Sequence, residues 1–344
     1  TYTSCARGKD DWLLRAGRLS IDRETGVGTA RDARLEFKGV PILYSPWLTY
    51  PVDGRRRSGL LLPEFGSSGQ RGVEVAVPYY FNLAPNYDAT LTPRYMSKRG
   101  LQAQGEFRYL SDRSTGVLDG EFLPDDEVTS EDRALVHWYN QTQVSDAWRT
   151  TIDGTQVSDS AYFEDLSTGL GNSSQTHLRQ HVDFEYFDHT WSALLRLEDY
   201  QTIDDSLTDV ERPYQRLPQI GVRTDQTFGP GLQGGLEAEF NYFNNPGGVI
   251  DDTRQTGMRA HAVGTLAWPY LTPGWALTPR VSFNAASYSL DKPMSNGSKT
   301  GSRIIPTTSL DSAWVLERDA VSLFDGRSIR QTLEPRVMYV YTPF

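Results

Sequence analysis

Gln102-Ala103-Gln104-Gly105-Glu106-Phe107-Arg108-Tyr109 alternates strictly between polar residues and small or aromatic ones. Successive side chains of a β-strand point to opposite faces, so Ala103, Gly105, Phe107 and Tyr109 share one face and Gln102, Gln104, Glu106 and Arg108 the other. Two further stretches divide in the same way. In 236–243, Leu236, Ala238, Phe240 and Tyr242 oppose Glu237, Glu239 and Asn241; in 181–186, Val182, Phe184 and Tyr186 oppose Asp183 and Glu185. Beyond residue 55 this alternation fills segments of roughly ten to fifteen residues. That is the length of a strand crossing an outer membrane at a tilt, whereas soluble sandwiches favour strands of about five or six.

The pattern predicts strands at 58–67, 71–83, 87–98, 101–111, 116–124, 133–144, 147–157, 178–187, 190–201, 215–228, 231–243, 255–269, 275–290, 304–317 and 327–342. Short turns recur at 84–86, 111–115, 145–146, 188–189, 229–230, 270–274 and near Gly326. Most of the remaining connectors are long: 125–132, 158–177, 202–214, 244–254 and 291–303. Alternating short and long connections are the mark of a meandering membrane barrel, with tight periplasmic turns and longer outer loops. The two earliest outer connectors, around Gly69 and 98–100, are short and depart from it.

Residues 1–52 read as shorter strands at 12–21, 26–37 and 40–50, the end of a periplasmic β-domain. Pro41, Pro46 and Pro51 mark the last as an edge or bent strand. Arg55-Arg56-Arg57 then forms a basic hinge over 53–57, read as a solvated linker or as a contact to anionic headgroups. The expected fold is all-β: the C-terminal part of that domain, then about fifteen strands of a large antiparallel transmembrane barrel over 58–344.

Composition agrees. Only 38% of the 344 residues are hydrophobic while 12% are aromatic, which suits a thin apolar belt bounded by aromatic girdles, although composition alone leaves a soluble sandwich open. No run approaches the roughly 18 apolar residues of a membrane helix, and the polar opening at Thr1 carries no signal peptide, as in a piece of a longer precursor. A net charge of −10 argues against nucleic acid as a partner. Asp125-Asp126-Glu127, Asp204-Asp205 and Asp251-Asp252 read as solvated loop charge, or else as cation or polyanion sites at the cell surface. The single cysteine, Cys5, implies a partner outside this chain or a free thiol. No catalytic, Walker, zinc or dinucleotide spacing is present, so neither an enzyme nor a cofactor is expected. His177 and His181 share a strand face but lack a third metal ligand.

Several ordered motifs are more specific: Tyr2-Thr3-Ser4-Cys5, Asp11-Trp12, Tyr44-Ser45-Pro46, Arg56-Arg57-Ser58-Gly59, Pro78-Tyr79-Tyr80, Asn82-Leu83-Ala84-Pro85-Asn86, Asp88-Ala89-Thr90 and Phe107-Arg108-Tyr109-Leu110. Together they resemble the LptD family of lipopolysaccharide-assembly proteins. The resemblance implies a periplasmic jelly-roll with an apolar interior, joined to a very large barrel in the outer membrane. It also implies an LptE-type lipoprotein plug inside the barrel and an LptA-type periplasmic bridge that delivers lipopolysaccharide to the jelly-roll. The lipid then leaves sideways through a lateral gate. Cys5 would pair with a later cysteine, and Pro63 and Pro78, lying within the first two barrel strands, would match the gate prolines. Their other reading is a pair of tolerated bulges, and Pro93 shows that proline is not confined to the seam. A generic porin or channel is the alternative function; a barrel-borne hydrolase would need a catalytic set that is not found.

Overall fold

The computed structural model describes residues 12–22, 24–52, 54–167, 175–208, 210–245, 254–321 and 327–343. The chain divides into two units, residues 1–137 with 164–168, and residues 138–163 with 169–344.

The first unit opens with a four-stranded antiparallel sheet: β1 (Trp12–Arg15), β2 (Arg18–Asp22), β3 (Val27–Phe37) and β4 (Val40–Pro51). β1 and β2 lie end to end along one edge of β3, and the Gly17 amide keeps the break on the ladder by donating to Arg31 O at 3.0 Å. Lys38 and Gly39, both at positive φ, make the tight β3–β4 turn. Gly28 sits opposite Tyr50, and the ring occupies the space a Cβ would need. Cross-strand rows Leu19–Ala30–Leu48 and Ile21–Gly28–Tyr50 give this sheet one apolar face, on which Leu19 and Ile21 are exposed.

The same unit continues as an antiparallel meander: β5 (Gly59–Leu60), β6 (Glu64–Ser68), β7 (Gly72–Ala76), β8 (Tyr79–Ala84), β9 (Tyr87–Met96), β10 (Gly100–Leu110) and β11 (Ser114–Leu123). The first two expected barrel strands are each split. Pro63 lies in the gap between β5 and β6, and Pro78 in the gap between β7 and β8, so neither stands within a strand as the alternation suggested. Proline has a fixed φ and no N–H to give a ladder, while at Pro78 the alternation of Val73, Val75, Val77 and Tyr79 reads straight through it. The gaps are bridged by backbone bonds from Leu61 N to Pro78 O (2.9 Å) and from Val77 N to Pro93 O (3.1 Å). Pro93 remains inside β9, opposite Ala103.

β12 (Arg133–Gln143) leads into β13 (Trp148–Val157) of the second unit, and the single helical turn α1 (Tyr162–Leu166) follows, its residues from 164 onward belonging to the first unit. The meander then runs through β14 (His177–Phe187), β15 (Trp191–Thr202), β16 (Gln215–Phe228), β17 (Leu232–Asn244), β18 (Gly257–Ala267), β19 (Tyr270–Thr272), β20 (Trp275–Leu290) and β21 (Thr300–Trp314). β22 (Leu316–Val321) and β23 (Ser328–Leu333) form a separate hairpin, and β24 (Arg336–Tyr341) pairs with β21. Proline again marks the breaks, Pro269 before β19 and Pro335 before β24. The expected strands from 87–98 to 275–290 are present with ends shifted by a few residues, whereas 304–317 runs over the break between β21 and β22 and 327–342 is split between β23 and β24. The expected turn near Gly326 lies outside the described residues.

Candidate functional site

Burial on the strands is inverted relative to a water-soluble protein. In β9 and β10 the apolar side chains Leu91, Tyr95, Leu101 and Phe107 are 36–57% exposed, while Asp88, Arg94 and Gln102 on the opposite face are at most 4% exposed. The second unit repeats this: Leu195, Leu197, Ile220, Leu236 and Phe283 are exposed, whereas Asp183, Glu198, Gln219 and Asn241 are buried. A folded protein leaves such a continuous apolar surface open only where its surroundings are apolar too.

The polar face of the second unit is held by ion pairs running from strand to strand. Arg149 forks onto Glu185 across β13–β14 at 2.7 and 2.9 Å, and Arg196 onto Asp183 across β14–β15 at 2.7 and 2.6 Å. Glu198 on β15 accepts from Arg179 (2.6 Å), Arg216 (2.7 Å) and the Tyr200 hydroxyl (2.9 Å). Of the two histidines singled out as a weak metal pair, His177 lies within hydrogen-bond distance of the Thr202 hydroxyl and His181 stands opposite Glu198.

The first unit gathers a denser set. Glu74 on β7 receives Arg71 at 3.1 Å and Arg94 from β9 at 3.1 Å. Arg94 also donates to Gln102 on β10 (3.2 Å), whose amide donates to Glu121 on β11 (2.8 Å). Beside them, Arg99 in the β9–β10 turn and Arg133 at the start of β12 both reach Asp126, at 2.7 and 3.1 Å. Asp126 was read as solvated loop charge. The structure corrects this: its side chain is fully buried, and only Asp125 and Glu127 of that acidic triplet are exposed. The cause is local, because positive φ at Asp125 and Ser130 curls the 124–132 connection over its own Asp126, whose carboxylate accepts the Val128 amide at 3.0 Å. Burial pushes this carboxyl's pKa up, but the Val128 amide and the Arg99 and Arg133 guanidiniums outweigh it and hold it below the usual aspartate value.

These four arginines also grip a distant piece of chain. Asp165 receives Arg99 and Arg133, each at 2.8 Å. Arg94 donates to Leu166 O at 2.9 Å, and Arg71 donates to Ser167 O at 2.8 Å and Asp165 O at 3.4 Å. Arg71, Arg94, Arg99 and Arg133 are all buried. No sequence motif flagged this set. The available signal was arginine at the ends of strands whose neighbours on the same face are themselves polar.

Of the hinge arginines, Arg55 and Arg56 are exposed and Arg57 half-buried, and each has a partner in the chain. Arg55 and Arg57 reach back to the carbonyls of Glu24 and Thr25 in the β2–β3 turn. Arg56 turns the other way, donating to the Tyr80 hydroxyl at 2.8 Å and pairing with Asp88, which Arg108 also holds at 2.9 Å. Among the other acidic pairs, Asp204 caps its own turn through Ser206, and Asp251-Asp252 lies outside the described residues, as does Cys5.

Two family profiles match the chain: LPS transport system D over residues 131–343, and LptD protein over residues 29–114. The chain is 38% identical to the LPS-assembly protein LptD of Ralstonia nicotianae over 347 residues, covering all of this chain and 42% of that protein. It is 39% identical to its namesake in Nitrosococcus oceani and 40% to that of Thiobacillus denitrificans, covering 100% of this chain and 46% of each relative. The chain thus spans less than half the length of these relatives.

Proposed function

This chain belongs to the LptD family of LPS-assembly proteins, and from that membership we propose that it is part of a machine that moves lipopolysaccharide to the outer leaflet of the outer membrane. The observation that carries the reading is the inverted burial of the strands, behind a small sheet with an apolar face of its own. A lipid with long acyl chains and a charged sugar head needs a dry surface for one end and a wet one for the other. The row around Leu19, Ile21, Ala30 and Leu48 suits the acyl chains, as the end of a periplasmic jelly-roll fed by an LptA-type bridge. The polar strand face of the second unit, where Arg149, Arg179 and Glu185 stay partly exposed, suits the sugar and an LptE-type plug. A generic porin has no use for the first surface, and the relatives' names describe assembly rather than catalysis.

The lipid leaves between the proline-broken strands β5–β6 and β7–β8 and their neighbour, the proposed lateral gate at Pro63 and Pro78. Cells depleted of their own LptD and given the full-length protein test the transport reading. Lipopolysaccharide is expected at the cell surface, with resistance to bulky antibiotics restored; folded protein in the outer membrane without either would overturn the proposal. Orientation has its own assay. A cysteine at Ser298 is expected to react with an impermeant thiol reagent on intact cells and one at Gly229 is not; the opposite result inverts the topology.

A further inference from the structure

We propose that Arg71, Arg94, Arg99 and Arg133 form a phosphate-binding cradle on the polar face of the first unit, filled by the chain's own Asp165-Leu166-Ser167 as a stand-in for the anion. The segment meets the guanidiniums with acceptors alone: both Asp165 carboxylate oxygens and the three carbonyls of 165–167. The donors come from four separate places, the β6–β7 turn, β9, the β9–β10 turn and β12, yet converge on these three residues. Guanidiniums offer planar forks of N–H groups that match phosphate oxygens as well as carboxylate, so such convergence suits either.

Packing alone gives little reason for this cluster. Burying guanidiniums is costly unless each is fully paired, and apolar side chains usually fill the same volume at no loss of stability. Glu74 and Asp126 are built into the strands and the 124–132 connection, and they fix the forks from behind. Asp165 instead lies in α1, on no strand, so no ladder bond has to break for its carboxylate to give way. Once Asp165 withdraws, the cradle loses a carboxylate from a buried cationic site and calls for another anion in its place. A phosphate monoester carries about −1.5 to −2 charges near neutral pH and three acceptor oxygens, more than the carboxylate it would replace. The proposal rests on the lipopolysaccharide reading only for the source of that phosphate, which would be the phosphorylated head of the lipid.

The test measures binding of two probes to the full-length protein in detergent micelles, inorganic pyrophosphate and deep-rough lipopolysaccharide. Asp165→Asn keeps the shape of the segment but removes its charge, and is expected to tighten binding about tenfold over the parent, the scale of one charge-assisted hydrogen bond. Adding Arg99→Gln is expected to abolish that gain. A gain with both probes, or with the lipid alone, supports the cradle and names the headgroup as its source. A gain with pyrophosphate alone supports the cradle and leaves free phosphate as its ligand. If neither probe distinguishes Asp165→Asn from the parent while both keep their heat-modifiable gel mobility, the cluster is a structural clamp and the proposal is overturned. Failure of the transport reading shows separately, as absent surface lipopolysaccharide in complemented cells whatever the pyrophosphate result.

Discussion

The early strands and the late strands solve one problem by different means. β5 and β6 are 2 and 5 residues long, while β20 and β21 run 16 and 15 without a break. Long strands draw cohesion from the backbone ladder, and their ion pairs add cross-strand links such as Arg196–Asp183. The short strands have little ladder to use. They lean on side chains instead: Ser58 Oγ accepting the Asn82 amide at 2.8 Å, the Arg56–Asp88–Arg108 set and the Glu74 cluster. A ladder opens only by unzipping residue after residue. A side-chain network can trade partners one at a time with water or with a ligand, which is what the proposed lateral gate would require.

The largest expected effect follows from that weakness. If the first strands carry little ladder, a covalent tie to the segment before them matters most, and the proposed pairing of Cys5 with a later cysteine of the full-length protein would supply one. Closing so long a loop contributes roughly 4–5 kcal/mol in the chain-entropy model, less any strain. A non-reducing gel of the full-length protein reads the bond directly. Cys5→Ser is expected to shift mobility; identical bands remove the tie.

Next comes a direct contrast between the two units. Asp126→Ala strips a carboxylate from two buried guanidiniums and is expected to cost about 3–5 kcal/mol. Asp225→Ala removes only an exposed partner of Arg223 in β16 and is expected to cost below about 1 kcal/mol. Urea midpoints of the two variants check this, and equal shifts would break the comparison. pH sharpens it. Because the folded-state pKa of Asp126 is depressed, its contribution is complete above the unfolded-state value and lost as pH falls through the lower, folded one. The gap between the parent and Asp126→Ala is therefore expected to persist at pH 5 and to close only in strong acid.

Much of this was legible in the residues. The alternation that sets Phe107 against Arg108 marked the strands, their order and their two faces, because a membrane strand has a different solvent on each side. The break at Pro78 was not legible, since Val73, Val75, Val77, Tyr79 and Phe81 keep alternating across it while the strand does not; at Pro63 the run Leu60-Leu61-Leu62 already departs from alternation. Asp126 was misread for a related reason. Composition identifies a loop, but only its fold shows that Arg99 and Arg133 converge on that one carboxylate. The cradle around Asp165 lies further still from local pattern, joining Arg71 to a segment more than ninety residues away. The hinge arginines looked like a linker because a run of like charge carries no sign of which carbonyls it will meet.

The smallest energetic effect bears on function most directly. Pro63 and Pro78 each interrupt a strand at the start of the meander, and each withholds an N–H from the ladder. Restoring a donor at either place is worth on the order of 1 kcal/mol, too little to alter folding but comparable to the difference between a seam that parts readily and one that does not. Pro63→Ala and Pro78→Ala are therefore expected to lengthen β5–β6 and β7–β8 into continuous strands and to slow delivery of lipopolysaccharide to the surface, the double change more than either alone. Pro93→Ala is the control. Pro93 already sits inside a continuous strand and its carbonyl already accepts the Val77 amide, so filling its missing donor leaves the breaks as they are. Surface lipopolysaccharide and detergent sensitivity, measured at matched protein levels, separate the cases. Slowed delivery in the double variant with normal delivery in Pro93→Ala ties the effect to the strand breaks. Normal delivery in the double variant would mean that the two prolines are tolerated irregularities and would overturn the proposed gate.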